Sequence, residues 1–228
     1  MDRALELQAN LQDVELSISD ACRAAKRNRT DITLIAVTKT WPASDVDLLA
    51  SLGVTDVGEN RDQEAKPKHD EVLAKNLVWH AIGQIQTNKA KSIAGWADVV
   101  HSVDRMDLVN ALAKAVVERE KPLRVLIQAN LDPAPIDNRG GALQNDIIKL
   151  AESIAASPGL RLQGLMGVAP LDGDDEAAFA KLQDSAMAIQ TSFPEANWIS
   201  AGMSGDFAIA LKYGATHLRI GSSILGKR

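Results

Sequence analysis

The stretch "LIAVTKTWP" places one cation, Lys39, where a short apolar run meets a proline turn. Strand side chains alternate between faces, so Lys39 points wherever Ile35 and Val37 point. If that is the interior of a closed sheet, the amine sits at its rim. Partial desolvation there favours the neutral amine, a nucleophile that forms a Schiff base with an aldehyde. A surface lysine just past a strand is the plainer alternative. Two later stretches, "GMSGD" at 202–206 and "GSS" at 221–223, offer small residues, hydroxyls and helix-start amides, the chemistry of a phosphate site. Ser204, Ser222 and the Gly221 amide are the candidate donors, with the Met203 amide a weaker one. Either stretch alone reads equally as an ordinary turn. Arg219 shares parity with His217 and alternates with Leu218 and Ile220, so it can face the same interior as Lys39. An inward arginine needs an acceptor. A pyridine nitrogen is one, kept unprotonated by an always-charged guanidinium; a barrel carboxylate such as Glu59 is the other.

These residues need a frame that brings distant parts of the chain to one rim. Apolar runs of strand length recur at 32–37, 56–58, 78–82, 99–102, 124–130, 162–168, 198–201 and 217–220. Helical patterns begin between them near Pro42, Asn60, Thr87, Met106, Gln144, Asp174 and Gly205. Eight strands alternating with helices, without a Gly/Pro-rich linker, predict residues 1–228 as a single closed (β/α)8 TIM barrel, with a doubly wound open sheet as the runner-up. An extra helix over 3–27 comes first, its stripe of Leu7, Leu11, Val14, Ile18 and Cys22 suited to covering a barrel end or replacing a missing final helix. The tail "SSILGKR" is too short for a full eighth helix. Barrel sites lie at the C-terminal ends of the strands, where Lys39, Asn60, Asp104, Asp132, Met203, Ser204, Gly221 and Ser222 fall.

Composition narrows the partners. A net charge of −5 disfavours nucleic acid and anionic membranes, both of which need a basic patch. A small molecule is expected instead. The single cysteine, Cys22, cannot form an internal disulfide and fits a reducing cytoplasm, while the acidic, periodic N-terminus is unlike a signal peptide. Four histidines, on different elements without ligand-like spacing, give no metal site, and His80 reads as a structural residue rather than a catalyst.

Seven motifs in order, "LIAVTKTWP", "GENRDQEA", "WHAIGQIQTNKAK", "HSVDR", "GLMGVAPL", "AGMSGD" and "THLRIGSSILG", resemble those of the pyridoxal-phosphate homeostasis proteins, also described as alanine racemase N-terminal-domain-like. The resemblance implies a fold-type III barrel lacking the second β domain and holding pyridoxal 5′-phosphate (PLP) as an aldimine to Lys39. It implies Asn60 near the cofactor, Arg219 at the pyridine nitrogen, and Met203, Ser204, Gly221 and Ser222 around the phosphate. It also implies a role in vitamin B6 balance rather than an established turnover. Thr38 stands where serine is common and Ser222 where threonine is common, both keeping the hydroxyl. Arg61-Asp62 and "LDPAPIDNRGG" depart further, which puts in doubt any shared partner surface there.

Two functions compete: a PLP carrier that buffers the cofactor or delivers it to apo PLP-dependent enzymes, and a PLP enzyme such as an amino-acid racemase. Racemisation needs a base on each face of the carbanion, which the resembling two-domain racemases draw from an added domain, and the only tyrosine here, Tyr213, is poorly placed for it. An arginine at the ring nitrogen also weakens the ring as an electron sink. A sugar-phosphate aldolase using Lys39 leaves Arg219 unexplained. The carrier is the expectation, as a cytoplasmic monomer.

Overall fold

The computed structural model describes residues 2–132, 140–171 and 173–226. Among them, eight strands close into a parallel barrel in chain order: β1 (Thr33–Val37), β2 (Asp56–Glu59), β3 (Val78–Ala81), β4 (Val99–Val103), β5 (Leu123–Gln128), β6 (Leu160–Met166), β7 (Trp198–Ser200) and β8 (His217–Ile220). β8 pairs back onto β1, with Ile35 opposite Arg219, which rules out the open sheet. Each expected strand is present, and the largest displacements are physical. β6 begins at Leu160 because Gly159, at φ +84°, turns the chain immediately before it. β5 ends at Gln128, after which Ala129 makes only an isolated bridge to Ala142.

Helices α2 (Ala43–Ser51), α3 (Asp62–Glu71), α4 (Ala90–Trp96), α5 (Met106–Ala115), α6 (Gln144–Ala155), α7 (Asp175–Ser192) and α8 (Phe207–Lys212) link successive strands. Outward strand residues such as Ala36, Val57, Val100 and Val125 pack against these helices in one continuous core. The extra helix α1 (Arg3–Ala24) buries the stripe Leu7, Val14, Ile18 and Cys22. It stops three residues short of the expected end because Lys26 adopts φ +56°, and the Arg27 amide reaches back 2.9 Å to the Cys22 carbonyl, a Schellman-type closure. After β8 only the single turn α9 (Ser222–Leu225) remains. α1 packs beside it: Asn10 Nδ2 donates to the Ile224 carbonyl at 2.9 Å, and Arg3 bridges Asp45 of α2 and the Leu225 carbonyl. The first helix thus covers the side that the short last one leaves.

The barrel interior divides into two. Val99, Leu126 and Met166 make a small apolar cluster separate from the outer core, while much of the remaining lumen is polar, filled by Asp56, His80, His101, Ser200 and Arg219. Close inward packing needs missing side chains at two positions. A Cβ on Gly58 would lie 3.0 Å from Ile35, and one on Gly164, at φ +147°, would lie 1.9 Å from the Trp198 carbonyl oxygen.

Candidate functional site

Lys39 follows β1 by two residues and is exposed, whereas the residues on either side of it are tied down. Thr38, fully buried, donates its hydroxyl to Glu59 Oε1 at 2.6 Å. Lys68 Nζ, reaching in from α3, donates to the Thr38 carbonyl at 2.8 Å and to Glu59 Oε1 at 2.7 Å. The Thr40 amide donates to the Glu64 carboxylate, and Thr40 sits at φ +69°, a left-handed conformation uncommon for a β-branched residue. A buried ion pair and a helix therefore fix the backbone of the lysine while leaving its side chain in solvent. This corrects one expectation: the protein around Lys39 does not supply the partial desolvation anticipated for its amine.

It corrects a second. Glu59 belongs to Lys68 and Thr38, not to Arg219. Burial pushes the Glu59 carboxyl above the usual carboxylate range despite these two donors, and its Oε2 atom has no hydrogen-bond partner among the described residues.

Arg219 lies inside the barrel, 5% exposed. Its Nη1 donates to Ser200 Oγ at 2.6 Å and its Nη2 to the Gly167 carbonyl at 2.9 Å, so both acceptors are neutral. Burial lowers its pKa to about 10, with Asp206 pulling the other way; it stays protonated at neutral pH.

The two small-residue loops meet at the same rim. Ser204 Oγ and Ser222 Oγ stand 3.4 Å apart, with Ser222 exposed and Ser204 half-buried. A Cβ on Gly221 would lie 3.2 Å from both Val37 Cβ and the Val37 carbonyl oxygen, so the end of β8 rests on the end of β1, two residues before Lys39. Gly202 turns at φ +95°, where a Cβ would lie 2.9 Å from Phe207 Cα, and its carbonyl accepts the Arg219 amide. The Met203 amide, taken as a weak phosphate donor, instead donates to Asp206 Oδ1 at 2.5 Å, and the Asp206 amide donates back to the Met203 carbonyl at 3.2 Å, just before α8. Asn60 is exposed at the end of β2, beside β1, its carbonyl oxygen pressed so closely on Gly83 that a Cβ there would lie 2.0 Å away. Lys39, Asn60, Met203, Ser204, Gly221 and Ser222 thus follow the C-terminal ends of strands β1, β2, β7 and β8, with Arg219 inside β8 just below.

Sequence reasoning did not find the supports. Lys68 carries no local signal, since its burial depends on how α3 docks. His80 and His101 were legible as strand histidines, but their hydrogen bonds to each other and to Ser200 run across strands. The segment Asp132 to Gly141, whose role the sequence left open, falls largely outside the described residues.

Residues 16–228 match the family described as alanine racemase, N-terminal domain. A pyridoxal phosphate homeostasis protein of Mycobacterium tuberculosis (strain ATCC 25618 / H37Rv) is 40% identical over 246 residues, covering 100% of this chain and 95% of that protein. The chain belongs to this family of pyridoxal phosphate homeostasis proteins, within the alanine racemase N-terminal domain family. Its relative in Corynebacterium glutamicum is 40% identical over 209 residues, covering 89% of this chain and 93% of that one. Among solved structures, PipY of Synechococcus elongatus with PLP bound superposes with a TM-score of 0.80 at 29% identity, covering 92% of this chain and 100% of that one. Alanine racemase of Corynebacterium glutamicum shares the fold, with a TM-score of 0.71 at 14% identity; the match covers 97% of this chain and 60% of the racemase. The barrel of this chain thus matches the whole of PipY and part of the longer racemase chain in fold. Among the described residues, no helix is long and apolar enough to cross a membrane.

Proposed function

We propose that this chain binds pyridoxal 5′-phosphate and acts in intracellular PLP homeostasis, with residues 1–228 forming one cofactor-binding unit. The observation that carries the reading is a convergence on one barrel mouth: an exposed amine, two hydroxyls 3.4 Å apart, and a buried guanidinium whose two acceptors are both neutral. This donor set fits the group. Lys39 would hold its aldehyde, Ser204, Ser222 and the Gly221 amide its phosphate, Arg219 its ring nitrogen, with Asn60 and Met203 at the edge of the site. When bound, the cofactor supplies an electrophilic carbonyl; the chain's residues bind and orient it.

Delivery is favoured over turnover by the exposure of Lys39. An amine open to water and to other amines suits exchange, whereas an enzyme guarding a carbanion excludes water. A racemase reading needs a second base, and Tyr213, the only tyrosine, is the C-cap of α8, at the far end of that helix from the Met203 to Asp206 loop. The reading extends to a cytoplasmic monomer with apo PLP-dependent enzymes as recipients. The experiment is the visible spectrum of the purified protein with added PLP, repeated after borohydride and for Lys39→Ala. A band trapped by borohydride and lost in the variant supports the reading; a wild type that stays colourless with added PLP overturns it.

A further inference from the structure

A hydrogen-bonded chain runs through the barrel from Arg219 to the N-terminal side of the sheet. Arg219 Nη1 donates to Ser200 Oγ at 2.6 Å; Ser200 Oγ lies 2.9 Å from His101 Nδ1; His101 Nε2 lies 2.8 Å from His80 Nδ1; and His80 Nε2 lies 2.9 Å from Asp56 Oδ1. The register builds this climb. His80 is two residues beyond Val78, the partner of Asp56; His101 is two beyond Val99, the partner of His80; Arg219 is two beyond His217, the partner of Ser200. The step from His101 to Ser200 joins β4 to β7, which are not neighbours in the barrel, so it crosses the lumen.

With both imidazoles neutral, the Asp56 end dictates the direction of the chain. A guanidinium has only donors and an ionised carboxylate only acceptors. Ser200 Oγ has two lone pairs, so accepting from Arg219 leaves its own proton free to turn to His101 Nδ1, as it does when both imidazoles are neutral. His101 then carries its proton on Nε2 and gives it to His80 Nδ1, and His80 carries its proton on Nε2 and gives it to Asp56. This polarity satisfies every member when both imidazoles are neutral; an imidazolium at His80 would reverse the steps from His80 through His101 to Ser200. The surroundings agree: burial lowers the pKa of both histidines, while hydrogen bonds from His80 and Thr55 outweigh burial and keep the Asp56 carboxyl below its usual range.

We propose that Asp56, His80, His101 and Ser200 are positioning residues for Arg219: the single-polarity chain orients the guanidinium at the barrel mouth and ends on a carboxylate at the opposite end of the lumen rather than against the fork. Among the described residues Arg219 makes no salt bridge, so no adjacent carboxylate competes for the donors it turns to a ligand. An adjacent acid, by contrast, would hold the fork in a bidentate pair. The inference deepens the reading of this mouth as a PLP site and rests on it for the ligand, but the chain itself is testable without one.

The test uses the full chain, first with no PLP added. Nitrogen-15 NMR of the imidazoles at neutral pH is expected to show both His80 and His101 neutral with the proton on Nε2, and the Arg219 guanidinium resonances slow in rotation. Ser200→Ala is expected to collapse or broaden the Arg219 signals, and Ser200→Thr to restore them. An Nδ1–H tautomer or an imidazolium at either histidine, or Arg219 signals unchanged in Ser200→Ala, overturns the proposal. With PLP, Ser200→Ala is expected to weaken binding about tenfold and to shift the visible band, with Ser200→Thr restoring both. A Ser200→Ala protein that binds PLP within twofold of wild type also overturns it. If wild type itself does not bind PLP, the cofactor reading falls and the ligand-free spectra still decide the chain.

Discussion

Three of the four histidines are buried in the barrel, His80 at 1%, His101 at 0% and His217 at 5% exposure, and this makes the fold sensitive to mild acid. Burial depresses all three, His217 to about 3, and the charge of Arg219 adds to the effect at His101 and His217. Because the folded values lie below the ordinary 6.5, the unfolded chain takes up protons first. Stability is complete above about pH 6.5 and is lost as pH falls toward the folded values. For His217, still neutral in the folded state at pH 5, 1.5 units below its ordinary value, the loss there is about 2 kcal/mol, and the full loss, reached below pH 3, is about 5 kcal/mol. Glu59 and Asp206, raised by burial, act with the opposite sign, because the folded state binds their protons first as pH falls. A variant isolates one histidine from the sum. Urea unfolding followed by tryptophan fluorescence at pH 7.5, 6.5, 5.5 and 5.0 is expected to show wild-type stability falling across this range. In His217→Gln the slope below pH 6.5 is expected to be shallower by about 1.4 kcal/mol per pH unit. Equal slopes in the two proteins, whatever their absolute stabilities, would refute the argument that His217 is held neutral by the barrel.

Other consequences follow from the same contacts. Lys68→Met strands the buried Glu59 carboxylate and is expected to cost about 3–5 kcal/mol in urea unfolding at pH 7.5; a loss under 1 kcal/mol would mean that the pair is solvated. Lys39→Ala, at an exposed position, is expected to change stability by no more than about 0.5 kcal/mol while abolishing borohydride-stable attachment of PLP, checked by unfolding and by mass spectrometry. Ser204→Ala and Ser222→Ala each remove one hydroxyl from the facing pair and are expected to weaken PLP binding by roughly tenfold, with inorganic phosphate competing in wild type. Gly164→Ala is expected to destabilise by about 3 kcal/mol or more, since its Cβ meets the Trp198 carbonyl at 1.9 Å; thermal unfolding within 2 degrees of wild type would show that β6 and β7 can separate to admit a methyl group.

The sequence by itself determined the number and order of strands, because apolar runs bounded by turns report burial locally, and it determined which residues follow each strand, because the C-terminal end of a strand is a position along the chain. Lys39, Asn60 and the two Gly/Ser loops were therefore placed after their strands, and Arg219 on the last strand, without coordinates. Only the tertiary structure decided what those residues touch. Glu59 and Arg219 are both buried charges on strands, and nothing in their own neighbourhoods says that one takes Lys68 from a helix while the other takes a serine hydroxyl and a carbonyl. The direction of the lumen chain is still less local. It follows from closure of the barrel, which sets His101 of β4 beside Ser200 of β7, and from an aspartate that only accepts, acting through two buried imidazoles held neutral. Periodicity records which face of a strand is inward; the partner met inside is set by closure of the sheet.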